Sequence, residues 1–323
     1  MSQLKLKKHK LANGLNVFYC HSPHDVAFEI SMHIFTGSAD ENESNNGVSH
    51  FLEHMMFRGS KSFPDSISLA KAMERYGGEI NAVTGLETTN YWMKGDAEGT
   101  LEAIATFADF FLNPVFTDLE IERKVILQEL ASDYNDMGAC IDSEYLSMNT
   151  LFRGHSMGLP IIGTKNTIEN LSIVDLVEKR SKFYFPENCV LTIHSNVPEN
   201  KVLKAINEHF LDSWPSNHQG KIDRESPLVV LKNIKKNKEK NVLFLQNNLD
   251  NQYNLKFIFP IAGGFSEEVI ALTFLQRLLD DGICTRLPAN IREKHGLVYD
   301  ISCETQFFKE VGTFAIDELV SEN

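Results

Sequence analysis

The amino-acid sequence predicts an α+β fold built from two related halves. Strand-like and helix-like hydrophobic periods follow one another along the chain, and the order of elements restarts near residue 241. The chain has 323 residues, of which 42% are hydrophobic and 23% charged, so it is globular and too long for one ordinary core. We therefore expect domains at 1–215 and 241–323, joined by a polar, turn-rich linker at 216–240.

The first half opens with strands and continues with an amphipathic helix. An Asn13-Gly14 pair lies inside the alternating segment 5–22 and predicts a hairpin, because both residues tolerate positive φ. Residues 28–35 alternate apolar and polar side chains, which predicts another strand. From 47 to 57 the apolar residues recur at three-and-four spacing, so we expect a helix packed on the core.

The rest of the first half follows from the same signals. β-branched and aromatic residues predict a strand pair within 80–94. Helices should dominate from 96 to 152, with Pro114 separating two of them and Thr117 as the N-cap of the second. The remaining predictions are helices at 65–76, 172–184 and 199–211 and a strand at 189–195.

The second half repeats this order in shorter form. Strands are predicted at 241–246 and 254–259, followed by a helix at 267–280. This helix carries Ile270 and Thr273 at the positions where the helix of the first half carries polar residues, so the second half should hold no metal. Because it is much shorter than the first, we expect it to be incomplete, either truncated or completed by another chain.

Composition excludes several classes of partner. The net charge of -13 argues against binding to nucleic acid or anionic lipid, although it would favour basic peptides. Five scattered cysteines form no CxxC pair, which favours a reducing compartment. Without a signal-like N-terminus or an apolar run of about 20 residues, we expect a soluble cytoplasmic protein; a processed periplasmic chain would look the same.

The chemistry-bearing residues of the first half are His50, Glu53 and His54. On a helix, positions i, i+3 and i+4 share one face, so two imidazoles could bind one zinc ion while the carboxylate accepts a proton from a water on it. A catalytic zinc needs a third protein ligand, and Glu129 is the candidate, with Glu122 seven residues earlier on the same helix face. Taken alone, such a glutamate pair is more often a solvated helix face.

The motifs together closely resemble those of the pitrilysin-type (M16, inverzincin) zinc peptidases, the family of insulin-degrading enzyme and the mitochondrial processing peptidase. The matching segments are GVSHFLEHMMFRGS, the Glu122 and Glu129 pair with 74 residues between His54 and Glu129, and LPIIGTKNTIENLS. The resemblance runs from the NGLNVFY hairpin to the region of Tyr299. It implies two LuxS/metalloenzyme-like α+β sandwich halves, each a mixed sheet with helices packed on it.

The resemblance also implies a role for each matching residue. One zinc ion per chain would be held by His50, His54 and Glu129, with Glu53 as general base and Glu122 as a supporting carboxylate. Asn81-Ala82 matches an edge strand to which an extended peptide adds, and Arg292 and Tyr299 match a pair that holds the substrate carbonyl and the developing oxyanion.

We therefore expect a zinc endopeptidase that cleaves small or unstructured polypeptides, acting as a homodimer or heterodimer with another M16 chain. Two alternatives stay open. The chain could be a non-catalytic or partner-dependent subunit that binds peptides and supports a second chain, although such subunits usually have a damaged zinc motif. It could also hold a purely structural zinc, although structural sites are usually closed by four side chains.

Overall fold

The computed structural model describes residues 6–211, 213–216, 222, 224–229 and 252–321. The chain divides into two compact units, the first formed by residues 1–127 and 161–223 and the second by residues 128–160 and 224–323. The predicted linker at 216–240 lies mostly outside the described residues, and the predicted strand at 241–246 lies wholly outside them. The predicted domain bounds therefore stay a prediction. Among the described residues, no helix is long and apolar enough to cross a membrane.

The first unit contains a mixed β-sheet. Its strands in the described part of the chain are β1 (Leu6–Lys10), β2 (Asn16–His21), β3 (Ala27–Ile34), β4 (Glu79–Thr84), β5 (Thr89–Asp96) and β6 (Cys189–Ser195). They lie in the order β1-β2-β6-β3-β5-β4, with β2 and β6 parallel and the other neighbours antiparallel. Strand β4 therefore lies at one edge of this sheet.

The predicted N-terminal hairpin is confirmed. Strands β1 and β2 pair from Leu6 with Cys20 to Lys10 with Asn16. Gly14 in the turn has a φ of +98°, a conformation that costs glycine little. The side-chain amide of Asn13 donates to the carbonyl oxygen of Trp214 at 2.8 Å, so the turn is also tied to a distant segment.

α-Helices are present in both units, and those of the first unit bury apolar side chains in its core. They are α1 (Val48–Met56), α2 (Ser66–Glu74), α3 (Thr100–Leu112), α4 (Leu119–Ala131), α5 (Ser143–Leu151), α6 (Lys165–Asn170), α7 (Ile173–Phe183), α8 (Glu199–Ile206) and α9 (Glu268–Leu279). The core of the first unit includes large side chains with almost no exposure, among them Tyr19, Phe51, Tyr91, Phe107, Phe110 and Phe111. The strands and helices predicted for this part of the chain are confirmed within one to three residues at most ends.

The start of α4 differs from the prediction. Thr117 was expected to cap this helix, but the carbonyl oxygen of Asp118 accepts the first helical hydrogen bonds, from the N–H groups of Ile121 and Glu122. Asp118 has a φ of +57°, a left-handed conformation that aspartate adopts more readily than most residues. Asp118 therefore turns the chain into the helix in place of Thr117. Residue preferences at N-caps could not distinguish between these two positions.

The second unit contains an antiparallel sheet of its own. In the described residues its strands are β7 (Gln252–Ala262), β8 (Asp300–Phe307) and β9 (Val311–Ser321), in the order β7-β9-β8. Helix α9 packs against β8, and α5 packs against β7. The Lys256 ammonium on β7 joins the carboxylates of Glu144 and Asp317 and so ties α5 to this sheet. The expected α+β class, with mixed and antiparallel sheets covered by helices, is confirmed.

Candidate metal centre and active site

Helix α1 presents His50, Glu53 and His54 on one face. Its other face is apolar and buried, because Val48, Phe51, Leu52, Met55 and Met56 have exposures of at most 1%. The three polar side chains therefore lie on the opposite side, where each is partly exposed. The rings of His50 and His54 lie one turn apart, with centroids 4.6 Å from each other and planes inclined by 62°. The predicted helical spacing is thus present.

The N-terminus of α1 is fixed by a buried carboxylate. Glu41 accepts the backbone N–H groups of Gly47 at 2.7 Å and Ser49 at 2.8 Å, and the side-chain amide of Asn46 at 3.0 Å. Gly47 has a φ of +91°, and a Cβ there would lie 2.7 Å from the carbonyl oxygen of Ile162. Both the conformation and the space require glycine, so the helix that carries the two histidines has a defined starting point.

Glu129 on α4 completes a group of three possible metal ligands. One ligand atom from each of His50, His54 and Glu129 lies within 4.8 Å of the other two. In a tetrahedral zinc site with ligands at about 2.0–2.2 Å, ligand atoms are about 3.3–3.6 Å apart, so small side-chain rotations would close this group on a metal ion. Two imidazoles and a carboxylate also match the donor types that zinc binds. The residues present therefore fit a zinc ion.

The protonation of the two histidines suits metal binding. Burial, together with the neighbouring His54, lowers the pKa of His50 to about 3, so its ring is neutral at physiological pH. The Nδ1 of His54 lies 3.2 Å from Oε2 of Glu122, and because an ionised carboxylate can only accept, this contact favours the tautomer with the proton on Nδ1. The other ring nitrogen of His54 then carries the lone pair that a metal needs. Glu122 thus lies where a supporting carboxylate was predicted.

The carboxylate of Glu53 contacts a residue that the sequence did not single out. The hydroxyl of Thr84, at the end of β4, donates a hydrogen bond to Oε2 of Glu53. Thr84 is only 7% exposed, so this contact is largely shielded from water. Period-two alternation places Thr84 on the sheet face towards α1, but only the packing of α1 against β4 brings the two side chains together.

The predicted substrate-binding strand is the edge strand β4. On the side of β4 that faces β5, Asn81 pairs with Trp92 and Ala82 pairs with Tyr91. The N–H of Ala82 donates to the side-chain oxygen of its neighbour Asn81 at 2.8 Å. This side chain occupies a main-chain donor that an added peptide strand would use, so it would have to move when a peptide pairs with β4.

Arg292 and Tyr299 belong to the second unit. Arg292 lies in a π-helical turn, Pro288–Glu293, and its Nε is 3.5 Å from Oε1 of Glu293. Tyr299 is 72% exposed, and its backbone N–H donates to the carbonyl oxygen of Leu319 at 2.9 Å. Their predicted role at the active site stays a prediction.

Two other histidines, His155 and His194, make hydrogen-bond contacts of their own. His155 is 7% exposed; its Nδ1 accepts the N–H of Met157 at 3.1 Å, and its Nε2 lies 3.2 Å from the carbonyl oxygen of Glu225. His194 contacts Asp25 through a close hydrogen bond. Across the residues that the structure describes, neither belongs to a group of metal-ligand type.

Comparison with protein families agrees with this fold. The family model "Insulinase (Peptidase family M16)" matches residues 16–165, and the model "Peptidase M16 inactive domain" matches residues 170–317. The first match contains His50, Glu53, His54, Glu122 and Glu129. The chain belongs to peptidase family M16.

Individual relatives support the same assignment. An uncharacterized zinc protease of Rickettsia bellii is 30% identical over 312 residues, covering 95% of this chain and 71% of the relative. The uncharacterized zinc protease YmxG of Bacillus subtilis is 27% identical over 316 residues, covering 96% of this chain and 73% of the relative. These proteins are similar to this chain in both of its halves.

Solved structures show the same fold. A protease from Helicobacter pylori superposes with a TM-score of 0.85 at 20% identity, covering 99% of this chain and 76% of that one. A putative M16-like peptidase from Alicyclobacillus acidocaldarius gives a TM-score of 0.79 at 19% identity, covering 99% and 75%. At these identities the likeness is one of fold.

Proposed function

We propose that this protein is a zinc-dependent endopeptidase that hydrolyses peptide bonds in small or unstructured polypeptides. The observation that carries the proposal is the convergence of His50, His54 and Glu129, with ligand atoms within 4.8 Å of one another, beside Glu53 on the same face of α1. Three ligands leave one position of a tetrahedral zinc open, which is typical of catalytic and not of structural sites.

The residues divide the chemistry between them. When bound by His50, His54 and Glu129, zinc would lower the pKa of a water molecule and polarise the scissile carbonyl group. Glu53 would take a proton from the attacking water as the new carbon–oxygen bond forms, and then pass it to the leaving amine as the carbon–nitrogen bond breaks. The hydrogen bond from Thr84 would keep the Glu53 carboxylate in one orientation during both transfers.

The substrate class follows from β4. An edge strand can pair only with main chain that is extended and has its own N–H and C=O groups unpaired, so peptides and unfolded segments would bind and folded proteins would not. Asn81 and Ala82 would fix the register of the substrate. Arg292 and Tyr299 would hold the substrate carbonyl and the developing oxyanion.

A variant of the general base tests this proposal. Glu53→Gln should keep its bound zinc and lose cleavage of a fluorogenic unstructured peptide by about 10²–10⁴-fold, because it cannot accept the proton. Glu102→Gln, which changes an exposed carboxylate on α3, is the matched control and should cleave at the wild-type rate. Equal rates for the wild type and Glu53→Gln would refute the peptidase assignment.

The same measurements separate the alternative of a supporting subunit. The wild type could bind zinc and peptide without cleaving the peptide on its own. If cleavage then began when a second M16 chain was added, the protein would be a partner-dependent subunit. We propose another M16 chain, identical or different, as the partner. Activity of the purified chain as a function of its concentration would test pairing between identical chains.

A further inference from the structure

We propose that Arg58, held in place by Asp118, is a positioning residue that orients the metal ligand His54 through Glu122. The inference rests on the proposed function, because it assigns a further residue to the same metal site. Arg58 lies two residues after the end of α1, and its backbone N–H donates to the carbonyl oxygen of Met55 at 3.2 Å. Its side chain therefore begins at the end of the helix that carries both histidines.

The contacts form a chain from Asp118 to the metal ligand. The Nη2 of Arg58 donates to Oδ2 of Asp118 at 2.8 Å, and its Nη1 donates to Oε1 of Glu122 at 3.1 Å. The other oxygen of Glu122, Oε2, lies 3.2 Å from Nδ1 of His54. Each oxygen of Glu122 thus has a different partner, and the carboxylate cannot rotate without losing one of them.

The guanidinium geometry makes this arrangement specific. Asp118 and Glu122 are four residues apart, one turn along the start of α4, and they face the two terminal nitrogens of one planar group. A lysine would supply the charge but could not hold two carboxylates in fixed directions. The left-handed φ of +57° at Asp118 sets where α4 begins and so where both carboxylates lie.

Burial distinguishes Arg58 from an ordinary surface ion pair. The side chains of Arg58 and Glu122 are 16% and 14% exposed, whereas that of Asp118 is 53% exposed. Exposed pairs contribute little because water screens them and competes for their hydrogen bonds. The pair of Arg58 and Glu122 is shielded from water on both of its sides. Arg58 can therefore fix the position of the Glu122 carboxylate, which in turn selects the tautomer and the orientation of the His54 ring.

The test compares zinc affinity in Arg58→Met and Arg123→Met by competition with a chelator. Arg123 lies next to Glu122 on α4, is 11% exposed and donates to the carbonyl oxygens of Ile168 and Leu171. Its replacement therefore controls for the structural damage of removing a largely buried arginine. We expect zinc binding to weaken by about 10–100-fold in Arg58→Met and by less than twofold in Arg123→Met. Equal effects, or an Arg58→Met affinity within twofold of the wild type, would overturn the proposal.

Asp118→Gly supplies a second variant: it removes the carboxylate, adopts the left-handed φ of +57° without strain and leaves Arg58 in place. If Asp118 acts through Arg58, its loss should weaken zinc binding by a smaller factor, and the double variant should bind zinc no more weakly than Arg58→Met alone. Additive losses would show that Asp118 and Arg58 act separately, against the proposal.

The ring of His54 gives a readout without metal. Nitrogen-15 NMR of the metal-free protein should show the Nδ1–H tautomer of His54 in the wild type and in Arg123→Met, and a tautomer mixture in Arg58→Met. An unchanged tautomer in Arg58→Met would contradict the proposal. A wild type that binds zinc no better than His54→Ala would refute the proposed function itself, whereas tight zinc binding in both wild type and Arg58→Met would refute only the role of Arg58.

Discussion

The hydroxyl of Thr84 lies at the end of the edge strand and donates to the carboxylate that we assign as general base. A hydrogen bond to a charged group is worth about 1.5–3 kcal/mol, enough to select one orientation of Glu53 over others. Because Thr84 contacts the base and not the group of three ligands, its removal should affect proton transfer and leave metal binding intact.

We therefore expect Thr84→Val, which replaces the hydroxyl with a methyl group of similar size, to lower kcat for peptide cleavage by about 10–100-fold. Zinc affinity should change by less than twofold. The exposed Thr88, in the turn after β4, offers Thr88→Val as a control with wild-type kinetics. A Thr84→Val enzyme with full kcat would show that Glu53 needs no such support.

Part of this site can be predicted from local sequence and part cannot. The spacing of His50, Glu53 and His54 on one helix face is a local property, and the structure confirms it. Glu129 lies 75 residues after His54, so spacing alone left it ambiguous and only the family resemblance pointed to it as a ligand. Thr84 and Arg58 have no local signature, because their importance comes from contacts between elements that meet only in the fold.

At the scale of elements, α7 supports the helix that carries the proposed metal ligands His50 and His54. It packs against α1, and its Lys179 ammonium donates to the carbonyl oxygen of Gly37 at 3.0 Å, near the buried Glu41 that holds the start of α1. The N-terminus of α7 is closed by a capping box, in which Asp175 accepts the hydroxyl of Ser172 at 2.6 Å and its N–H at 2.8 Å. The stability of α7 should therefore influence α1.

This capping box predicts a pH-dependent contribution to stability. The hydrogen bond from the Ser172 hydroxyl is the main cause that lowers the pKa of Asp175 below its ordinary value of 3.8. A carboxylate whose pKa is lower in the folded state stabilises the fold above its unfolded pKa, and this stabilisation is lost as the pH falls through the folded pKa. Asp175→Asn should reduce the free energy of unfolding by about 1 kcal/mol at pH 7.

Urea unfolding at several pH values checks this prediction. The difference between the wild type and Asp175→Asn should persist down to about pH 4 and shrink below it, where Asp175 becomes protonated. Glu178→Gln, an exposed change on the same helix, should show no such difference. If the difference in the free energy of unfolding between the wild type and Asp175→Asn stayed constant below pH 4, the ionised Asp175 carboxylate would not be its cause.

Element boundaries were predictable where a residue preference marks them. The strand at Cys189–Ser195 and the helix starting after Ser172 follow from alternation and from a capping residue, and both are confirmed. The start of α4 was predicted one residue too early, because Asp118, in a left-handed conformation, takes the capping position expected for Thr117. Its position matters, since α4 carries Glu122 and Glu129.

At the scale of the whole molecule, the fold class was predictable and the order of strands was not. The α+β class follows from hydrophobic periods, which are local. Strand β6 pairs with both β2 and β3, although it follows them by more than 150 residues, and no local pattern indicates such partners. Likewise, periodicity predicted helices up to residue 152 but could not show that residues 128–160 pack with the second unit.

The central claim is that one zinc ion is bound by His50, His54 and Glu129. The most direct measurement is anomalous X-ray diffraction at the zinc absorption edge from crystals of the purified protein grown with zinc. We expect one strong peak per chain at about 2.0–2.2 Å from a ring nitrogen of each histidine and a carboxylate oxygen of Glu129. A zinc peak held by other residues, or none at this group, would contradict the account.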